Sequence, residues 1–176
     1  MIRRLATIAV AVVGGVTLTA TPAVQAQTAT QTVTFQGRTI DMSRVWATAQ
    51  VCSVESASQV TCFASEAEYR RTSGLSRGST GDYRDCPDGY GCIWQGANFQ
   101  GRRLQFKDKG THSLSKYSFR DQASSAFNNR SPGHGAFYLI DQKAGRPDPR
   151  YMLGTWQYVS NLAKSGWNDR ADKVGI

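Results

Sequence analysis

Cys86-Pro87-Asp88-Gly89-Tyr90-Gly91-Cys92-Ile93-Trp94-Gln95-Gly96-Ala97-Asn98-Phe99-Gln100-Gly101 is the stretch around which the chain is organised. Two cysteines six positions apart bracket a Pro-x-Gly turn, and an apolar pair, Ile93 and Trp94, follows. The spacing Trp94-x4-Phe99-x-Gly101 predicts a β-hairpin whose two aromatics clasp its corner. Gly101 there takes a backbone angle closed to other residues.

The pattern recurs in weakened form downstream. Phe137-Tyr138-Leu139-Ile140 takes the part of Cys92-Ile93-Trp94, with Tyr138 matching Trp94 and Gly145 matching Gly101. Lys143 stands where the second aromatic belongs, so this corner is weaker. The first copy continues through Arg103-Leu104-Gln105-Phe106, Leu114, Tyr117 and Phe119 to Asp121-Gln122-Ala123-Ser124-Ser125. The second continues through Met152-Leu153, Leu162 and Trp167 to Asn168-Asp169-Arg170-Ala171-Asp172-Lys173-Val174. Four short strands per copy with a long third connection predict an all-β sandwich of two Greek keys, with repeats at about 86–130 and 133–176.

Upstream, Arg3 and Arg4 precede an apolar run from Leu5 to Ala20, and Val24-Gln25-Ala26 resembles a cleavage site. Residues 1–26 therefore read as a secretory signal peptide, which makes the protein secreted after cleavage near Ala26. No later run approaches the roughly 18 apolar residues of a membrane span. Thr32 to Phe35 and Arg38 to Met42 read as paired strands around Gly37, and Gln59 to Phe63 as the return strand of another hairpin. Ser65-Glu66-Ala67-Glu68 fits a capping box opening a short helix. Residues 27–72 form an N-terminal extension of hairpin plus helix, the Gly/Ser-rich stretch 73–85 a linker, and 86–176 the main domain.

In an oxidising compartment four cysteines favour disulfides over a metal site, whose CxxC-like spacing is missing. Local pairing joins Cys52 to Cys62 across a polar turn and Cys86 to Cys92 across the Pro-x-Gly turn.

The formal net charge is +8; without Arg3 and Arg4, 19 Lys+Arg face 13 Asp+Glu, leaving +6. Residues 27–85 carry six bases and six acids, so the excess lies in 86–176, with thirteen bases and seven acids. The bases are dispersed, which speaks against nucleic acid and for a solvated surface on a monomer. An anionic cell-wall polymer is the alternative partner. The two histidines, His112 and His134, fall in turns with no nucleophile motif nearby, and no carboxylate spacing suggests a glycosidase pair. The chain reads as a binding protein and not as an enzyme. Trp94 and Trp167 sit at repeat-equivalent packing positions, whereas Trp156 and Tyr158 are less constrained and could serve a sugar-stacking face.

Cys86-Pro87-x-Gly89-x-x-Cys92, the Trp94/Phe99/Gly101 corner, Asp121-x-x-Ser124-Ser125 and Asn168-Asp169-Arg170 resemble peptidase inhibitor family I36. These are secreted actinobacterial proteins of βγ-crystallin-like fold, typified by a Streptomyces metalloproteinase inhibitor. The resemblance covers about residues 84–176 and implies a secreted metalloprotease as partner. It also implies a reactive bond in a disulfide-bounded loop of the second repeat. The corresponding region, about 144–152, has no cysteine, but Pro147 and Pro149 fix their own φ angles. Lys143, Arg146, Pro147, Asp148, Pro149, Arg150 and Tyr151 are thus the target-binding candidates. The resemblance further implies calcium as the one candidate cofactor, held in paired N/D-N/D-x-x-S/T-S turns. The oxygen donors left here are Asp121, Ser124, Asp169 and Asp172, with Arg120 in the place of an Asn or Asp.

Overall fold

A computed structural model describes residues 31–75 and 81–176. The expected signal peptide, residues 1–26, and the middle of the expected linker lie outside the described residues.

The chain begins with β1 (Thr32–Phe35) and β2 (Arg38–Asp41), paired antiparallel around Gly37. A one-turn helix, α1 (Met42–Val45), follows, capped by the Asp41 carboxylate on the Ser43 amide. β3 (Val51–Ser56) and β4 (Gln59–Phe63) form the next hairpin. Its Cys52 and Cys62 stand directly opposite one another and are joined by a disulfide. In α2 (Glu66–Thr72) the Ser65 hydroxyl accepts from the Glu68 amide as a capping box requires. Glu68 returns not to Ser65 but to the amide of Ala64.

The two repeats supply β5 (Tyr90–Trp94), β6 (Arg103–Phe106), β7 (Thr111–Ser113) and β8 (Ser125–Asn129), then β9 (Phe137–Ile140), β10 (Arg150–Leu153), β11 (Tyr158–Val159) and β12 (Lys173–Gly175). One sheet runs β11-β8-β5-β6 and the other β10-β9-β12-β7. Each repeat keeps its first, second and fourth strands together and lends its third to the other sheet. This exchange makes the βγ-crystallin-like sandwich, with Ile93, Leu104, Phe106, Phe137, Leu139, Leu153 and Val174 buried in its core. The long third connections also match. Leu114 to Tyr117 and Leu162 to Ser165 each make a single 3-10 turn, closed in the left-handed region by Ser118 and Gly166. The Asp121 amide donates to Ala171 and the Asp169 amide to Ala123, so the repeats bond each other reciprocally.

The expected corner is present. Trp94 and Phe99 meet edge to face at 5.2 Å, and Gly101 lies at φ +77°. Cys86 and Cys92 form the second disulfide.

The N-terminal extension is not a separate body. β3 pairs parallel with β6, so the first sheet continues as β11-β8-β5-β6-β3-β4-β1-β2. Met42, Val45, Trp46 and Ala49 pack into the same apolar cluster as Tyr117 and Phe119, and the Trp46 indole donates to the Tyr117 carbonyl at 2.7 Å. The stretch read as linker is also anchored at its described end. Asp82 and Asp85 cap a 3-10 turn, Asp85 is buried, and the Tyr83 ring packs on Phe99, Phe127 and Tyr158. Gly and Ser content signals a flexible chain, but three side chains at its end override that signal. His112, expected in an exposed turn, is buried on β7 beside Phe106, with its Nε2 3.0 Å from the Asp108 carbonyl.

Candidate functional site

The second corner is the irregular one. Between β9 and β10, residues 141–149 form a loop in which Lys143, Arg146 and Pro147 are exposed, while Asp148 and Pro149 are half-buried. Gly145 turns it at φ +71°. Arg150 and Tyr151 open β10, an edge strand among the described residues. The Arg150 guanidinium lies 6.0 Å from the Tyr138 ring centroid, and Tyr151 packs on Trp167 at 5.7 Å. All seven target-binding candidates thus fall on one continuous segment.

Polar bonds brace this loop in place of a disulfide. The Asp141 amide donates to the Pro149 carbonyl at 3.1 Å, closing its base. Across the loop the Lys143 amide donates to Asp148 Oδ1 at 2.9 Å. The Gln142 amide donates to Asp172 Oδ2 at 2.5 Å, tying the loop to the turn before β12. Asp141 is 3 % exposed, and its carboxylate accepts from Arg170 Nε and Nη2 at 3.1 and 2.8 Å and meets Lys143 Nζ at 2.7 Å. Asp141 and Arg170 escaped the sequence reading because they meet only when the last turn folds against the loop.

Burial acts to raise the Asp141 pKa, but the hydrogen bonds from Lys143 and Arg170 outweigh it and hold the carboxyl below its usual range. A depressed carboxyl contributes stability above its unfolded pKa, about 4, and that contribution is lost as pH falls through the lower folded value. Acidification below about pH 4 is therefore expected to loosen residues 141–149 progressively. Hydrogen exchange of the loop amides against pH checks this, and Asp141→Asn should flatten the dependence.

The calcium donors do not assemble. Asp121 and Asp172 both meet Arg120, whose Nε contacts Asp172 Oδ1 and lies 3.4 Å from Asp121 Oδ2. Asp172 is 4 % exposed and its other oxygen is held by Gln142. Asp169 instead accepts from the Asn168 side-chain amide at 2.6 Å. Ser124 is buried, and its amide and carbonyl hold Trp94 and Leu162. Among the described residues no three acidic, histidine or cysteine side chains converge as metal ligands. Calcium needs six to eight oxygens, whereas here a guanidinium already supplies the positive charge between two carboxylates. The residues do not fit the ion. A site with Kd one hundredfold below the added calcium would add about 2.7 kcal/mol of stability. No such shift is expected when thermal melts with millimolar calcium and with chelator are compared.

After the loop, Met152, Trp156 and Tyr158 are large exposed apolar side chains, with Trp156 at 58 % and Tyr158 at 54 %. Trp167 is buried, as its repeat position predicts. No helix of the described residues is long and apolar enough to cross a membrane.

Among solved structures the chain is similar to one described as concerning the evolution of the eye lens βγ-crystallin domain fold. That match has 23 % identity and TM-score 0.41, covering 56 % of this chain and 91 % of the other. It is also similar to spherulin 3a from Physarum polycephalum (17 %, TM-score 0.39, 56 % and 88 % covered). A βγ-crystallin domain from Clostridium beijerinckii matches at 15 % and TM-score 0.36, with 49 % and 95 % covered. Among curated proteins no match is found. The family that the corner and cysteine motifs resemble is also the one whose model this chain matches, over residues 79–138: peptidase inhibitor family I36.

Proposed function

We propose that the protein is a secreted, non-catalytic inhibitor of an extracellular metallopeptidase, with residues 143–151 as the segment offered to the enzyme's cleft. The observation that carries this reading is the braced loop. An inhibitory segment must stay ordered, because each backbone residue fixed on binding costs about 1–2 kcal/mol that a preordered loop does not lose. The Lys143–Asp148 and Gln142–Asp172 bonds supply that order where the family type uses a disulfide. The family match supports inhibition as the activity class, and the metallopeptidase target rests on resemblance. Asp148→Ala removes the bond across the loop while leaving the core intact. It is expected to weaken inhibition about tenfold, the worth of one charge-assisted hydrogen bond, with little change in melting temperature. The same variant should be cleaved in the loop faster than the parent protein.

A second reading is favoured by the exposure of Trp156 and Tyr158. Tyr158 is held by stacking on Tyr83 at 4.7 Å and 15°, while more than half of its surface stays exposed. Retention on chitin, peptidoglycan or heparin, lost in Trp156→Ala, is the outcome this reading expects.

A further inference from the structure

β10 continues the segment 143–151 as an unpartnered sheet edge. It ends the order β10-β9-β12-β7, and among the described residues no strand or loop backbone bonds its outer side. Bonded and non-bonded pairs alternate along an antiparallel ladder. The Asp141 amide donates to the Pro149 carbonyl, while Arg150 stands opposite Ile140 and Met152 opposite Tyr138. This phase turns the N–H and C=O groups of Arg150 and Met152 away from β9. Those of Tyr151 and Leu153 go to the ladder.

Proteins blunt such edges with proline, a bulge or clustered charge. The register of β10 with β9 is unbroken, and the strand carries one basic residue, Arg150. Met152 follows with its apolar side chain 62 % exposed. An open cavity of about 330 Å³ lies beside the strand, lined by residues 151–153 and by Trp156, Gln157 and Tyr158 of the next turn. Trp156 sits at φ +56°, a region that bulky residues rarely adopt. Its amide donates to the Asn128 carbonyl at 2.8 Å, and the buried Asn128 side chain donates to the Leu153 and Gly154 carbonyls at 3.1 Å each. The turn is thus fixed from β8 and leaves its indole exposed.

Free N–H and C=O groups along an edge, beside an apolar groove, are completed by another strand. A sugar has no repeating amide to match them. The exposed bases Lys143, Arg146 and Arg150 favour an acidic partner. They disfavour a second copy of this chain, which would bring like charges together.

We propose that β10 adds a strand of the bound peptidase to its outer edge, an extended acidic segment whose apolar side chains lie against Met152 and Trp156. The proposal deepens the inhibitor reading and rests on it: residues 143–151 enter the cleft, and β10 pairs with a strand beside it.

Met152→Pro removes only the outward N–H, a change that edge strands accept, whereas Met152→Ala keeps it. In titrations of a thermolysin-type metallopeptidase, the proline variant should inhibit about tenfold more weakly than the alanine variant, at similar melting temperature. Trp156→Gly suits the left-handed backbone, which guards against misfolding, and should weaken inhibition severalfold. Amide exchange supplies a second readout. In the free protein Arg150 and Met152 should exchange fast and Tyr151 and Leu153 slowly, and saturating peptidase should protect Met152. If the parent inhibits but the proline and alanine variants are equal, or Met152 gains no protection, strand addition is overturned and the inhibitor reading stands. If the parent does not inhibit, both fall. Retention on chitin or peptidoglycan that Trp156→Gly abolishes, with inhibition unchanged, gives the groove to a sugar and overturns the proposal. A dimer that Met152→Pro dissolves gives the edge to a second copy and overturns it too.

Discussion

Replacing Phe137 with alanine is expected to lower unfolding stability by about 3–5 kcal/mol, the range for emptying a buried aromatic position. Phe137 is fully buried on β9 and faces the other sheet, where Gly91 of β5 has no side chain to keep it out. A Cβ built on Gly91 would lie 2.6 Å from the Phe137 ring, so ring and glycine are fitted to each other. Against a total of about 5–15 kcal/mol, the loss removes at least about a fifth of the margin. Urea melts should show a lower midpoint at unchanged slope. A loss below about 1 kcal/mol would mean that the two sheets do not close over this pair.

Trp46→Ala should cost about as much, roughly 3–5 kcal/mol, although Trp46 belongs to the N-terminal extension. Its ring packs against Phe119 at 5.4 Å, its indole N–H satisfies the Tyr117 carbonyl, and Arg102 lies 5.7 Å from the ring centroid. Truncation leaves a cavity and an unpaired buried carbonyl together. The extension and the sandwich share one sheet and one apolar cluster, so they should unfold in a single transition that moves as a whole. Hydrogen exchange resolved by segment distinguishes the outcomes. If 31–72 opened alone while 86–176 kept its protection, the shared core would be refuted.

The sandwich was legible because its signals are local. The Trp94/Phe99/Gly101 corner, two short-range cysteine pairs and a repeated aromatic pattern each need only a dozen residues to be recognised. What escaped is long-range. The parallel joint of β3 to β6 leaves no periodic trace, since each strand is apolar in its own hairpin and nothing in either names its partner. Tyr83 looked like part of a Gly/Ser linker because its packing partners lie at Phe99, Phe127 and Tyr158. The bonds that brace residues 141–149 leave no trace in the sequence, since Asp148 and Asp172 meet the Lys143 and Gln142 amides only in the folded loop. Asp172 read as an ion ligand by its place in the turn, and only the fold brings Arg120 and the Gln142 amide onto its two oxygens.

The inhibitor reading is tested most directly by titrating a thermolysin-type metallopeptidase, at fixed concentration, with the purified protein. Residual activity should fall linearly and reach its floor near one equivalent, while Asp148→Ala requires a large excess. Activity unchanged at micromolar excess over the enzyme, where a Kd near 1 μM would correspond to about −8.2 kcal/mol, would contradict it.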